Sequence, residues 1–152
     1  TDQVCNNMFL LGTRPQDQDK LKARPELIYN ALEEYKRFDP AVTFIFRVAK
    51  ADTQIGDQEI KAGDSIFIST HCVNRSNLSD GHEINIEREN IQHMAYGHGA
   101  HYCIGAKLGR MEMNLLFQSL IKNYPEVRVS SATRDHYSLS FSGFSELMLE
   151  RV

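Results

Sequence analysis

Tryptophan is absent from this chain, and cysteine and proline are scarce, at three and four in 152 residues. The cysteines, Cys5, Cys72 and Cys103, are odd in number and scattered, which argues against a disulfide framework and for a reducing, cytoplasmic setting. Neither sign of charge prevails. Seventeen lysines and arginines face twenty aspartates and glutamates, a formal net charge of -3, so neither nucleic acid nor a membrane surface is an expected partner. No apolar run nears the roughly 20 residues of a transmembrane helix, and no secretory leader is expected. Internal repeats and low-complexity tracts are missing too. What is present, 41% hydrophobic and 24% charged residues, suits one globular domain with its own core.

Periodicity divides the chain into elements. Thr1 to Leu11 sets Val4, Met8 and Leu11 on one helical face, as the tail of a longer helix would, and Gly12 stops it. Pro15 opens a short polar helix to about Ala23. Pro25 opens the next, with Leu27, Ile28, Ala31, Leu32 and Tyr35 as its buried stripe and Asp39-Pro40 as its end. Val42 to Val48 is β-branched and aromatic, hence a strand. Turns at Gly56-Asp57 and Ala62-Gly63-Asp64 bound short strands, the last being Ser65 to Ser69. Asn74 to Asn90 reads as an irregular, polar meander. Leu108, Met111, Leu115, Leu116 and Leu120 then keep helical spacing up to Tyr124, where Pro125 ends the element. Val127 to Val152 reads as strands around a turn at Ser142-Gly143.

The run Tyr96-Gly97-His98-Gly99-Ala100-His101-Tyr102-Cys103-Ile104-Gly105 carries the chemistry. It places one cysteine in a glycine-rich loop just before a helix, where the positive end of the macrodipole favours a thiolate. Gly97 and Gly99 allow left-handed backbone and close passage of a flat ligand. His101 can donate a hydrogen bond to an anion at that ligand's edge. The loop suits a heme iron carried on Cys103, with His101 on a propionate. A zinc site or a buried cysteine in a turn is the alternative, but no second ligand pair is suitably spaced for zinc.

Gly97-x-Gly99-x-His101-x-Cys103-x-Gly105, followed by Leu108-Gly109-Arg110, resembles the heme-binding loop of the cytochrome P-450 monooxygenases. The family usually has Phe at the place of Tyr96 and Ala at the place of Gly109. The resemblance covers essentially the whole chain. It implies the carboxy-terminal, heme-proximal half of a bacterial-type cytochrome P-450 fold, mainly α with small β-sheets (α+β), as a single domain fragment over 1–152. Within it fall a Glu-x-x-Arg helix at about 24–39, a β region at about 42–70, a meander at 74–95, the cysteine loop at 96–105, a proximal helix at 105–124 and terminal strands at 127–152.

The cofactor so implied is heme b (iron protoporphyrin IX), with Cys103 its axial ligand and Gly105 letting the next helix approach. Glu34 and Arg37 match the family's Glu-x-x-Arg; at i and i+3 they share a helical face and can pair. The family's third basic residue, from a Pro-x-Arg-Phe segment, is not found at Asp80-Gly81-His82-Glu83-Ile84, leaving His82 or Arg75 as substitutes or a weakened scaffold. Arg47, in Phe44-Ile45-Phe46-Arg47, is expected on a propionate, which a planar guanidinium matches bidentately. Val42, Phe44, Ile45, Phe141 and Phe144 are expected to line the substrate side. His71, His98 and His136 are read as surface or structural, and His93 as an anchor for the loop.

Implied activity is oxidoreductase: insertion of one oxygen atom from dioxygen into an apolar small molecule, in secondary metabolism by analogy. Electrons would come from a ferredoxin- or flavin-type donor, with Lys107, Arg110 and Lys122 as its basic docking surface. No catalytic residue is assigned within the chain, because the family's acid–threonine pair would precede Thr1. The enzyme is therefore expected to be longer or made of two pieces, completed by an amino-terminal half. The alternative is an inactive heme-binding or interaction subunit, a homo-oligomer that buries the open distal face.

Overall fold

Helix α1 (Asp2–Gly12) packs its Leu10 and Leu11 inward, and beside them it buries two asparagines. This is a computed structural model, and it describes residues 1–76, 78–124, 126–135 and 138–152. The two expectations at Pro125 and His136 lie outside the described residues. The asparagines explain how α1 is fixed. Asn6 donates to the carbonyls of Asp39 and Ser142, at 3.3 and 3.1 Å, and Asn7 donates to the Met113 sulfur at 3.5 Å. Buried amides that reach three separate segments hold α1 in one orientation, which apolar contact alone would not do.

Helix α2 (Pro15–Ala23) starts on its proline, and a single 3₁₀ turn at Pro25–Leu27 leads into α3 (Ile28–Phe38). Ile28, Ala31, Leu32 and Tyr35 form the buried stripe of α3, as their spacing predicts. The Tyr35 hydroxyl donates to Asp17 at 3.0 Å, which ties α3 to α2. Strand β1 (Phe44–Val48) pairs antiparallel with β4 (Ser65–Ser69), from Phe44 opposite Ser69 to Val48 opposite Ser65. Between them β2 (Thr53–Ile55) and β3 (Gln58–Ile60) form a hairpin whose turn needs Gly56 at φ 57°.

A short helix, α4 (Thr70–Ser76), follows β4, and its last residues, from Asn74, fall where the sequence reads as meander. It is set by its contacts. Thr70 N–H and hydroxyl donate to Thr43 O, and Asn74 bonds both the Arg37 carbonyl and the Met94 N–H. After an irregular stretch and one 3₁₀ turn (Gly99–His101), α5 (Ala106–Asn123) runs 18 residues, and β5 (Val127–Arg134) and β6 (Phe144–Arg151) close the chain as an antiparallel pair.

Helix α5 buries a different face from the one its leucines suggest. Ala106, Met113, Phe117 and Ile121 are inside, while Leu108, Met111, Leu115 and Leu116 are exposed and Leu120 is half-buried. Both sets have helical spacing, so periodicity alone cannot choose between them. The choice is made by α2 and α3, which pack on α5, with Asn7 of α1 reaching Met113.

Candidate functional site

The carboxy-terminal half of α3 is charged and buried. Glu34 and Arg37 are both wholly inaccessible and pair bidentately, Nε to Oε2 and Nη2 to Oε1, each at 2.8 Å. Arg37 also donates to the carbonyls of Asn74 (3.1 Å), Gly81 (2.8 Å) and Glu83 (2.8 Å). Glu34 accepts the Asn85 N–H at 2.9 Å. A buried ion pair is tolerated when its remaining lone pairs and protons are matched, and here they are. Burial opposes ionisation of Glu34, but the Arg37 hydrogen bond, the Asn85 N–H and the nearby guanidinium charges outweigh it and lower its pKa.

Arg88 supplies the third basic residue. Its Nε lies 3.2 Å from both Glu34 oxygens and its Nη1 lies 2.7 Å from Asp80. Neither proposed substitute takes that place: His82 is exposed, and Arg75 donates to Phe38 O at 2.6 Å and stacks on the Phe38 ring. Asp80 is thus a partner of the arginine rather than its replacement. The meander carries no periodicity, so the sequence offered no register by which to find Arg88.

A second i, i+3 pair, Glu33 and Lys36, lies beside the first and was not singled out in the sequence, although its spacing is the same. Glu33 also takes hydrogen bonds from Arg110 (2.9–3.1 Å) and His93 Nε2 (3.0 Å). Burial would raise its pKa, but these donors and the Lys36 charge hold the carboxyl well below the usual range. His93 anchors the stretch before the cysteine loop, since Ala95 N–H donates back to its Nδ1 at 3.2 Å.

The loop itself is held by backbone hydrogen bonds. Cys103 N–H donates to Tyr96 O at 2.9 Å, and Ala106 N–H donates to Cys103 O at 3.2 Å, which starts α5. Gly97 and Gly99 sit at φ 73° and 69°, the left-handed region that a side chain disfavours. Gly105 is different. Its φ is -82°, and a Cβ there would meet only the Cys103 sulfur at 3.9 Å. The Tyr96 hydroxyl is buried without a hydrogen-bond partner and would lie 3.6 Å from a Cβ on Gly109. These are the two positions where the loop departs from the usual pattern, and they face one another. Burial pushes the Tyr96 hydroxyl up to about 12.

Cys103, exposed and free, enters a cavity of about 370 Å³ whose walls include His101, Arg47, Tyr96, Gly97, Val42 and Ile45. Among the described residues Arg47 has no ion-pair partner, and its Nη1 donates to the Phe46 carbonyl at 2.7 Å. Phe44, Phe141 and Phe144 do not line this cavity. Phe44 alternates to the other side of β1, Phe141 bridges Val42 by backbone and is exposed, and Phe144 stacks on Phe9 at 4.9 Å. A larger cavity, about 620 Å³, lies against the meander with Arg88, His93 and Arg110 on its walls and holds none of the expected ligands.

The proposed basic surface is also revised. Arg110 is engaged by Glu33 and by the Tyr102 hydroxyl at 2.9 Å, and Lys122 lies roughly 22 Å along α5 from Lys107 at 1.5 Å per residue. Only Lys107 remains exposed beside the cysteine loop.

The residues fit a heme. One soft thiol stands on the wall with Gly97 beside it, and a guanidinium and an imidazole lie at hand for carboxylates. Among the described residues no group of three or more His, Cys, Asp or Glu could cage an ion instead. The class is that of heme-thiolate proteins. Residues 10–145 match the family model described as Cytochrome P-450, and the chain belongs to that family. It is 35% identical over 133 residues to mycinamicin IV hydroxylase/epoxidase of Micromonospora griseorubida, covering 85% of this chain and 34% of that protein. It is 30% identical over 148 residues to linalool 8-monooxygenase of Pseudomonas putida, covering 96% and 36%. Its structure is similar to that of the versatile cytochrome P-450 enzyme CYP109B1 from Bacillus subtilis, with TM-score 0.93 and 32% identity over 98% of this chain and 41% of that one. The chain thus spans about a third of the length of the curated relatives it matches. The family's cofactor is heme b, and the chain is the heme-proximal part of its fold.

Proposed function

We propose that this chain is the thiolate-bearing part of a heme-thiolate monooxygenase, longer than this chain or made of two pieces, that inserts one atom of dioxygen into an apolar small molecule. The observation that carries the reading is Cys103 on the wall of a cavity that Arg47 and His101 also reach. Heme bound there supplies the activation of dioxygen, and electron donation from a thiolate favours O–O cleavage.

The chain's own residues do the rest of the work described. Cys103 would hold the metal through its sulfur, on a loop fixed by its N–H to Tyr96 O. Arg47 and His101, both on the cavity wall, would supply guanidinium and ring N–H donors to the heme carboxylates. Val42 and Ile45 present apolar side chains that exclude water from the substrate side. Glu34, Arg37 and Arg88 fix the meander against α3 and so hold the loop in register. The names of two relatives, a mycinamicin hydroxylase/epoxidase and a linalool monooxygenase, support an apolar organic substrate and a place in secondary metabolism. No helix among the described residues is long and apolar enough to cross a membrane, and the protein is read as cytoplasmic. Electrons come from a ferredoxin- or flavin-type donor, for which Lys107 is the available contact beside the loop.

The test is turnover of the full-length protein with a ferredoxin and its reductase under isotopically labelled dioxygen. One labelled oxygen atom per product molecule is expected. Label from water instead, or reduction of dioxygen without any oxygenated product across a panel of apolar substrates, would contradict the proposal.

A further inference from the structure

Lys36 is only 1% exposed, yet it lies on the wall of the cavity that Cys103 enters. Its ammonium pairs with Glu33 one turn back on α3, and it stands 5.1 Å from the centre of the Tyr96 ring. Arg110, on α5, binds the same carboxylate and stands 4.4 Å from the same ring. His93 completes the group. With Nδ1 accepting from Ala95 and Nε2 donating to Glu33, its hydrogen bonds are met by an uncharged ring. Two cations against one carboxylate leave one unit of positive charge. The neighbouring group of Glu34, Arg37, Arg88 and Asp80 is balanced, two against two.

Filling a cavity wall does not require an ammonium. A hydrocarbon of similar length would pack there without desolvating a charge, and the lysine is retained only because Glu33 holds it. What the lysine adds is a fixed charge, shielded from salt, beside a site where an electron must arrive.

We propose that Lys36, held by Glu33, is a positioning residue that raises the reduction potential of the heme carried on Cys103. The inference rests on the heme-thiolate reading above. Reduction adds a negative charge to the site, and a nearby cation stabilises the reduced form over the oxidised one. For scale, a unit charge at about 10 Å and an effective dielectric of about 20 would shift such an equilibrium roughly tenfold.

The experiment uses the heme-loaded, full-length protein as wild type and as Lys36→Arg, Lys36→Gln and Lys36→Met. The carbon monoxide spectrum reports whether the thiolate ligates, and a spectroelectrochemical titration reports the potential. The Arg variant is expected to keep the wild-type potential. The Gln and Met variants should keep the thiolate band and lose roughly tenfold in the equilibrium constant for reduction, about 59 mV for one electron. Unchanged potentials in Gln and Met, or an equal fall in Arg, would overturn the proposal. So would loss of heme in both neutral variants while Arg binds it, since Lys36 would then serve folding alone. A wild type lacking the thiolate band defeats the underlying reading instead, and the spectrum distinguishes that result.

Discussion

Glu33 and Glu34 are adjacent on α3, and each is kept ionised by a separate set of donors despite burial. An unfolded glutamate titrates near about 4.3, and both folded values lie lower, so their contribution to stability is complete above that pH and is lost as pH falls below it. Thermal melts should therefore change little from neutrality down to about pH 5 and fall steeply below about pH 4. A melting temperature that holds through that range would contradict the ion-pair account. Truncating Arg37 to Ala leaves a buried carboxylate uncompensated and should cost about 3–5 kcal/mol in denaturant unfolding. Arg88→Ala should cost less, about 1–3 kcal/mol, because Glu34 keeps Arg37 and Asn85 and the Asp80 partner is half-exposed. Glu34 and Arg37 were legible because a fixed spacing on a helix dictates a shared face. Arg88 was not, because an aperiodic segment gives no rule for which residue returns to the helix.

At the scale of elements, the loop and α5 separate what a glycine does from where it stands. Gly97 needs its left-handed backbone, and Gly97→Ala should destabilise by about 1–2 kcal/mol. Gly105→Ala, at an ordinary φ with its nearest neighbour at van der Waals distance, should cost far less in the same unfolding measurement. Equal losses would show that the loop glycines serve a common packing role instead. Turns and proline-led helix starts were readable, since Gly56, Pro15 and Pro25 act through local sterics. Helix α4 was not: a seven-residue helix rich in polar residues is stabilised by Thr70 and Asn74 reaching other segments. Nor was the buried face of α5, whose two apolar stripes differ only in what packs against them.

Across the whole molecule, the exposed stripe of Leu108, Met111, Leu115 and Leu116, with Ile104 fully exposed nearby, is an apolar surface of the kind that seeks a partner. The 152-residue chain by itself should associate in sedimentation as concentration rises, and the double variant Leu108→Lys, Leu115→Lys should return it to monomer. A monodisperse wild type would contradict this. The same variant leaves Glu33, Glu34 and their partners untouched, so the acid limb of its melting profile should persist. The central claim, however, is about one ligand. Carbon monoxide added to the reduced, heme-loaded protein should give the red-shifted Soret band of a thiolate-bound iron, and Cys103→Ala should abolish it. A band typical of nitrogen ligation in the wild type, or a red-shifted band that survives in Cys103→Ala, would contradict the account.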